Sequence, residues 1–194
     1  MKSICVFCGS QFGTNPVYAE VARDLGQQLA ARGFALIYGG GNVGLMGVAA
    51  SATLAANGKV VGVIPHALAI KEIALENATE LIVVDTMHER KAIMADRADA
   101  FVALPGGFGT CDELFEILTW AQLGIHTKPV VVLNMAGFFD PLIAWAEHMV
   151  REGFLRTKHR ELLLISGSVK GLFELLDSWK PAAIVAKWAL PGER

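Results

Sequence analysis

Apolar runs alternate with amphipathic segments along the whole 194-residue chain. Several runs are almost continuously apolar, as in the stretch VVVL, and such runs are typical of parallel strands buried on both faces. The pattern predicts strands over residues 2–8, 34–38, 59–65, 80–84, 100–104, 129–134 and 162–165. The segments between them carry helical spacing and predict helices over about 16–32, 44–57, 86–98, 110–124, 138–152 and 168–178.

Strands that alternate with helices at this spacing predict an α/β fold. We expect a Rossmann-like, doubly wound parallel sheet of six to seven strands with helices on both faces. The chain is expected to form a single domain over 1–194 with a short irregular tail from about 181. Ligands of such sheets bind at the carboxyl ends of the strands. Three glycine-containing loops fall there: CGSQFGTN, GGGNVGLMG and PGGFGT.

Composition and charge narrow the classes of function. Hydrophobic residues make up 53% of the chain and charged residues 19%, so a large core is expected. The net charge is -2 and no basic block occurs, which argues against nucleic acid as a partner. No apolar stretch reaches the length of a membrane span, and the first apolar run is too short for a signal peptide. We therefore expect a cytoplasmic protein.

The cysteines fit that compartment. Cys5 and Cys8 form a C-x-x-C pair, but on a strand residues three apart point to opposite faces. We therefore interpret both as buried structural cysteines. With Cys111 the count is three, and an odd count suits a reducing compartment.

The second loop, residues 39–47, contains G-x-G-x-x-G between a predicted strand and a predicted helix. A dinucleotide site also needs a carboxylate about 20 residues later, and the following strand ends in Ile64-Pro65-His66. A P-loop needs Gly-Lys-Ser/Thr after its glycines, which is absent. NAD, FAD and nucleoside triphosphates are thereby disfavoured. Close packing of the helix and proximity to a phosphate both remain open for these glycines.

The third loop, LPGGFGTCDE, supports the same two interpretations. Thr110-x-x-Glu113 matches a capping box, in which Thr110 caps the helix and Glu113 bonds back to it. A capping box does not explain Gly106, Gly107 and Gly109 at the tip of a buried strand. Those glycines suit a phosphate cradle of backbone amides, completed by the Thr110 hydroxyl.

Arg90 lies on the apolar stripe of the helix TMHERKAIMADRAD, between Met87 and Met94. An arginine on a core-facing stripe needs a carboxylate or phosphate partner, although a surface arginine beside Glu89 is the simpler alternative. The five histidines form no metal-binding pattern, and no G-x-S-x-G elbow occurs. No lysine stands in a recognisable context for a pyridoxal Schiff base. We expect neither metal nor cofactor.

Together these motifs resemble the Lonely Guy family of cytokinin-activating phosphoribohydrolases, whose members are often mislabelled as lysine decarboxylases. The family motif P-G-G-x-G-T-x-x-E is present at 105–113, M-H-x-R-K at 87–91 and G-G-G-x-x-G-L-M-G at 39–47. The opening C-G-S and the run LTWAQLGIHTKPVVVLN are also similar, so the resemblance covers roughly 3–180.

The resemblance implies hydrolysis of the N-glycosidic bond of a nucleoside 5′-monophosphate, typically with an N6-modified adenine, and no cofactor. It implies Arg90 and Glu113 as the catalytic pair. The substrate-binding residues that it implies are Ser10, Gly40, Gly41, Glu72, Met87, Lys91, Pro105, Gly106, Gly107, Phe108, Gly109, Thr110, Cys111 and Asp112. The departures from the family pattern, at Gln11, Asp96 and Asp112, bear on base preference.

Two further functions compete with this one. A broader nucleoside monophosphate nucleosidase would use the same residues. A non-catalytic carrier resembling molybdenum-cofactor carrier proteins would share the glycine-rich frame and need not keep the Arg90–Glu113 pair.

The predicted helix over 110–124 is apolar on more than one face, which is more than one contact with a sheet requires. The surplus could pack against another helix of the same chain. We instead expect a homodimer, or a higher even homo-oligomer, with the helices over 86–98 and 110–124 at its two-fold interface.

Overall fold

A seven-stranded, all-parallel sheet forms the centre of the protein in a computed structural model that describes residues 1–69, 75 and 77–181. The strands are β1 Ser3–Phe7, β2 Ala35–Tyr38, β3 Val60–Pro65, β4 Glu80–Val84, β5 Ala100–Ala103, β6 Val130–Leu133 and β7 Leu163–Ser166. The helices are α1 Val17–Ala31, α2 Gly44–Ala55, α3 His66–Ala69, α4 Met87–Arg97, α5 Phe108–Gln122, α6 Asp140–Arg151, α7 Thr157–Arg160 and α8 Val169–Ser178, with a 3-10 turn at Met135–Gly137. All seven strands and the six longer helices occur where the sequence predicts them.

The strand order is β4-β3-β2-β1-β5-β6-β7. The chain builds the sheet outward from β1 to β4, then returns to pair β5 with the other side of β1. Cys5 of β1 is accordingly paired with Ile37 of β2 and with Phe101 of β5. The order therefore reverses at β1, and a crevice opens at the carboxyl ends of β2, β1 and β5. The three glycine-containing loops emerge there.

Helices cover both faces of the sheet and bury a separate apolar cluster on each. Residues of α1, α2 and α8 pack on one face, and residues of α4 and α5 pack on the other. Cys5 belongs to the second cluster and Cys8 to the first, so the two thiols point to opposite faces. Both are free and buried, which confirms their interpretation as structural cysteines.

The start of α5 differs from the prediction. The helix begins at Phe108, and its N-cap is Gly107 in extended backbone (φ -96°, ψ -150°) without a capping side chain. Thr110 lies inside the first turn, so the predicted capping box at Thr110 and Glu113 is wrong. A capping box forms instead at α4, where Thr86 accepts a hydrogen bond from the Glu89 backbone N–H and Glu89 bonds back.

The short helices were not predicted because four-residue segments show no measurable periodicity. Glu72 and the tail over 182–194 lie outside the described residues. Within the part of the chain that the structure covers, the helices are too short or too polar to cross a bilayer.

Candidate active site

The loops after β1, β2 and β5 meet in a cavity of about 230 Å³ at the carboxyl edge of the sheet. The side chains of α4 and α5 close it from below. Its lining consists of Val6, Cys8, Gly9, Ser10, Gly39, Met46, Arg90, Gly107, Phe108, Gly109, Thr110 and Glu113. The topological reversal at β1 therefore brings together three motifs that are far apart in sequence.

Arg90 of α4 and Glu113 of α5 form an ion pair at the base of this cavity. The Arg90 Nη2 and Glu113 Oε1 atoms are 3.3 Å apart, and only 10% and 9% of the two side chains are exposed. Arg90 Nε also donates to the Val63 carbonyl oxygen at 3.2 Å, and Nη1 contacts Met87 Sδ at 3.7 Å. These contacts hold the guanidinium in one orientation. The expectation that Arg90 needs an anionic partner is confirmed.

Gly39 gives the Arg90 side chain its space. A Cβ atom at this position would overlap Arg90 Nη2, and it would also crowd the central carbon of the guanidinium. The first glycine of the GGG run is therefore required by close packing against a cavity-lining residue. This resolves part of the question that the sequence left open for this loop.

Gly39→Ala should displace the Arg90 guanidinium from Glu113 and lower kcat/KM by about 100-fold, because small misplacements of catalytic groups are costly. The effect is measured by release of free base from a nucleoside 5′-monophosphate, the substrate that the resemblance implies. Gly167→Ala is the control, because a Cβ at Gly167 meets nothing within 4 Å. Gly33→Ala is unsuitable, because the positive φ of Gly33 would strain an alanine. Unchanged activity in Gly39→Ala would contradict the proposed need for a fixed Arg90.

The pKa of Glu113 is raised, whereas the positive end of a helix dipole alone would lower it. Burial raises the pKa of Glu113 to about 7, Arg90 acts in the opposite direction, and Asp112 adds to the increase. The sequence pattern, which places Glu113 at a helix N-terminus, predicts a lowered pKa, and this prediction is wrong for two reasons. Since α5 begins at Phe108, Glu113 lies beyond the first turn, where the dipole is strongest. Loss of hydration in the buried site then outweighs the attraction of Arg90.

The first turn of α5 opens into the same cavity. The first N–H groups of a helix have no intrahelical acceptor, and Gly107 supplies no side chain to cap them. Thr110 is buried beside them, and a Cβ at Gly106 would overlap its hydroxyl oxygen. The arrangement gives an anion a set of bare amides and a nearby hydroxyl.

The structure places the predicted site residues in three groups. The two candidate catalytic residues lie at the cavity with Ser10, Gly107, Phe108, Gly109 and Thr110. Outside its lining, among the described residues, are Gly40, Gly41, Met87, Lys91, Pro105, Gly106, Cys111 and Asp112. Glu72 falls outside the described residues. Their roles in binding and catalysis remain predictions.

The cavity also contains residues that the predicted site left out: Val6, Cys8, Gly9, Gly39 and Met46. Each lies within or beside a glycine-containing loop at the carboxyl end of β1 or β2. A systematic selection of the residues that end β1 and β2, of the loops after them and of the first turn of α2 would have found them. Their main property is small size or apolar packing, so no chemical signal marks them in sequence. Within residues 1–69, 75 and 77–181, no group of three or more potential metal ligands occurs.

Comparison with known proteins identifies close relatives. A family model described as "Possible lysine decarboxylase" matches residues 46–176. The probable cytokinin riboside 5′-monophosphate phosphoribohydrolase LOGL2 of Oryza sativa subsp. japonica is 46% identical over 93% of this chain and 74% of its own length. The cytokinin riboside 5′-monophosphate phosphoribohydrolase LOG5 of Arabidopsis thaliana is 45% identical over 96% of this chain and 82% of its own length.

Solved structures share the fold at lower identity. The molybdenum cofactor carrier protein of Chlamydomonas reinhardtii is 23% identical, with a TM-score of 0.70, over 91% of this chain and 96% of that one. The molybdenum cofactor binding protein of Rippkaea orientalis is 26% identical, with a TM-score of 0.69, over 92% of this chain and 97% of that one. The family match and the much more similar phosphoribohydrolases show that the chain belongs to the Lonely Guy family of cytokinin riboside 5′-monophosphate phosphoribohydrolases.

Proposed function

We propose that this protein hydrolyses the N-glycosidic bond of N6-modified adenosine 5′-monophosphates and releases the free base and ribose 5-phosphate. The observation that carries the proposal is the buried Arg90–Glu113 pair at the base of a cavity that also holds the open start of α5. Relatives at 45–47% identity that are named for this reaction support the choice of substrate.

The reaction needs a carboxylate near the anomeric carbon. Breaking a ribose–base bond develops positive charge on the sugar, as in glycoside hydrolysis. In its ionised form Glu113 stabilises that charge, and a pKa of about 7 leaves much of it ionised at neutral pH. Arg90 holds the carboxylate in place and favours its ionised form. Glu113 and Arg90 are the proposed catalytic residues.

The 5′-phosphate provides the remote anchor. It is proposed to bind the free N–H groups at the start of α5, together with the Thr110 hydroxyl. Ser10 faces the same cavity from the loop after β1. Binding energy from the phosphate would then position the ribose over Glu113. No metal enters this mechanism, so EDTA should leave the rate unchanged.

A carrier function is the second candidate, since structures of cofactor carriers share this fold. Two observations favour hydrolysis over carriage. The carriers are 23–26% identical, against 45–47% for the phosphoribohydrolases. Burial of the Arg90–Glu113 ion pair costs desolvation free energy, and a carrier that performs no chemistry has no evident need for such a pair.

The substrate panel that tests the proposal contains AMP, isopentenyladenosine monophosphate and the other nucleoside monophosphates. Free base is quantified by chromatography after incubation with the purified protein. We expect the highest kcat/KM for the N6-modified adenosine monophosphate. Equal rates for all monophosphates would instead indicate a general nucleosidase, and tight binding without any base release would indicate a carrier.

We also propose a two-fold dimer with α4 and α5 at its interface. Part of the apolar surplus of α5 is covered within the chain, because Phe115 packs edge-on against Trp145 of α6. Large apolar side chains at the starts of the two helices stay uncovered: Phe108 is 96% exposed and Met87 is 41% exposed. Both lie next to the cavity. A dimer that covers them would complete the rim of the site.

Light scattering at micromolar concentration should therefore give a mass near twice 20.8 kDa, or a higher even multiple. Specific activity should fall on dilution below the dissociation constant of the dimer. A fully active monomer would refute both the dimer and its role in the site.

The free cysteines fit the reducing cytoplasm, which is the proposed location.

A further inference from the structure

Lys91 connects α4 to α5 through two ion pairs beside the catalytic pair. Its Nζ atom lies 3.1 Å from Asp112 Oδ2 and 3.0 Å from Glu116 Oε1. The lysine side chain is only 12% exposed, and that of Glu116 is 24% exposed. Lys91 is therefore held between two carboxylates and does not line the cavity in the described part of the chain.

Lys91 and its two carboxylate partners are close in sequence to Arg90 and Glu113. Lys91 directly follows Arg90 on α4, and the two carboxylates flank Glu113 on α5, one residue before it and three after it. The lysine thus fastens the turn of α5 that carries Glu113 to the turn of α4 that carries Arg90. We propose that Lys91 is a positioning residue that sets the separation of Arg90 and Glu113 and the charge around Glu113, a role that rests on the proposed hydrolase function.

The electrostatics agree with this geometry. Although partial burial alone would lower it, the hydrogen bonds to Glu116 and Asp112 raise the pKa of Lys91, so the lysine stays charged. Its charge in turn lowers the pKa of Glu113, while Asp112 and Glu116 raise it. The second carboxylate oxygen of Glu116 is buried with no hydrogen-bond partner among the described residues. Without Lys91, Glu116 would keep a partly buried charge with no partner at this ion pair.

Among the described residues, the other titratable groups near Glu113 do not supply a second cation that links α5 to α4 in the way that Lys91 does. The groups around it are Arg90 and Lys91 of α4, Asp112 and Glu116 of α5, Cys5 of β1, and Cys8 directly after β1. Burial raises the pKa of both thiols well above their usual values, so they stay neutral. Arg90 and Lys91 are the cations of this group. Arg90 pairs with Glu113 itself, and Lys91 pairs with the carboxylates on either side of it.

The test uses the full-length protein with Lys91→Met, Lys91→Arg and the double variant Lys91→Met/Glu116→Gln. The pKa of Glu113 is read by ¹³C NMR of protein labelled at glutamate carboxyls, with its resonance assigned by its absence in Glu113→Gln. Because this titration needs no substrate, it is independent of the proposed reaction. The kcat and KM values for a nucleoside 5′-monophosphate are measured across pH with the same proteins.

Lys91→Met should raise the pKa of Glu113, move the rising limb of kcat/KM to higher pH, and lower kcat about tenfold or more with a smaller change in KM. The double variant should return the pKa towards the wild-type value, and Lys91→Arg should retain most activity. Lys128→Met is the matched control, since Lys128 bonds the Ala95 carbonyl oxygen at the other end of α4 and should leave the limb in place. An unchanged pKa of Glu113, with a loss confined to KM, would overturn the proposal and indicate direct contact between Lys91 and the phosphate.

Discussion

Glu113→Gln should keep its fold and lose base release by roughly two to four orders of magnitude, the range found for groups that act in proton transfer or charge stabilisation. The glutamine amide fills the same volume but cannot stabilise positive charge on the ribose. Since Glu113 does not cap α5, its replacement removes no capping interaction. Arg90 also keeps its hydrogen bond to the Val63 carbonyl oxygen.

Activity is measured by chromatographic release of base from isopentenyladenosine monophosphate, and folding by circular dichroism and thermal unfolding. Glu174→Gln is the matched control, because Glu174 lies on α8, is 65% exposed and pairs with Lys170. We expect the control to behave as wild type. Near-normal turnover in Glu113→Gln would show that the carboxylate has only a structural role.

Removal of the 5′-phosphate should have the second large effect. Nucleosides should react far more slowly than their monophosphates, in kcat as well as in KM, because the phosphate at the start of α5 positions the ribose over Glu113. A variant separates this anchor from the rest of the site. Thr110→Val should lower kcat/KM for the monophosphate by roughly 10- to 150-fold, since a hydrogen bond to a charged group is worth about 1.5–3 kcal/mol.

The same variant should leave the slow reaction of the nucleoside nearly unchanged. Thr119→Val is its control on the same helix, because Thr119 is exposed and its hydroxyl bonds to the Phe115 carbonyl oxygen. Equal rates on adenosine and AMP would contradict the proposal that the glycine loop anchors a phosphate.

Several features of this fold follow from sequence alone. Strands such as β6 are buried on both faces, so they appear as continuous apolar runs, and the parallel α/β arrangement follows from their alternation with helices. The loops after β1, β2 and β5 could be identified as the candidate binding site, because ligands of such sheets bind at the carboxyl ends of the strands. The apolar stripe of α4 likewise marked Arg90 as a buried arginine in need of an anion.

Other features depend on distances that no local pattern contains. The overlap between a Cβ at Gly39 and Arg90 arises from packing across elements about 50 residues apart. The direction of the Glu113 pKa shift depends on how deeply the carboxyl is buried, which local helix position does not reveal. The sequence pattern places the start of α5 too late, because Thr110-x-x-Glu113 satisfies the capping pattern although the N-cap is Gly107.

The most direct test is the identification of both products from one substrate. Wild-type protein is incubated with isopentenyladenosine monophosphate, and base, nucleoside, ribose 5-phosphate and inorganic phosphate are quantified together by mass spectrometry. We predict free base and ribose 5-phosphate in equal amounts, with no nucleoside, and neither product above background with Glu113→Gln. Inorganic phosphate with intact nucleoside, or bound nucleotide with no product at all, would contradict N-glycosidic hydrolysis at the Arg90–Glu113 site.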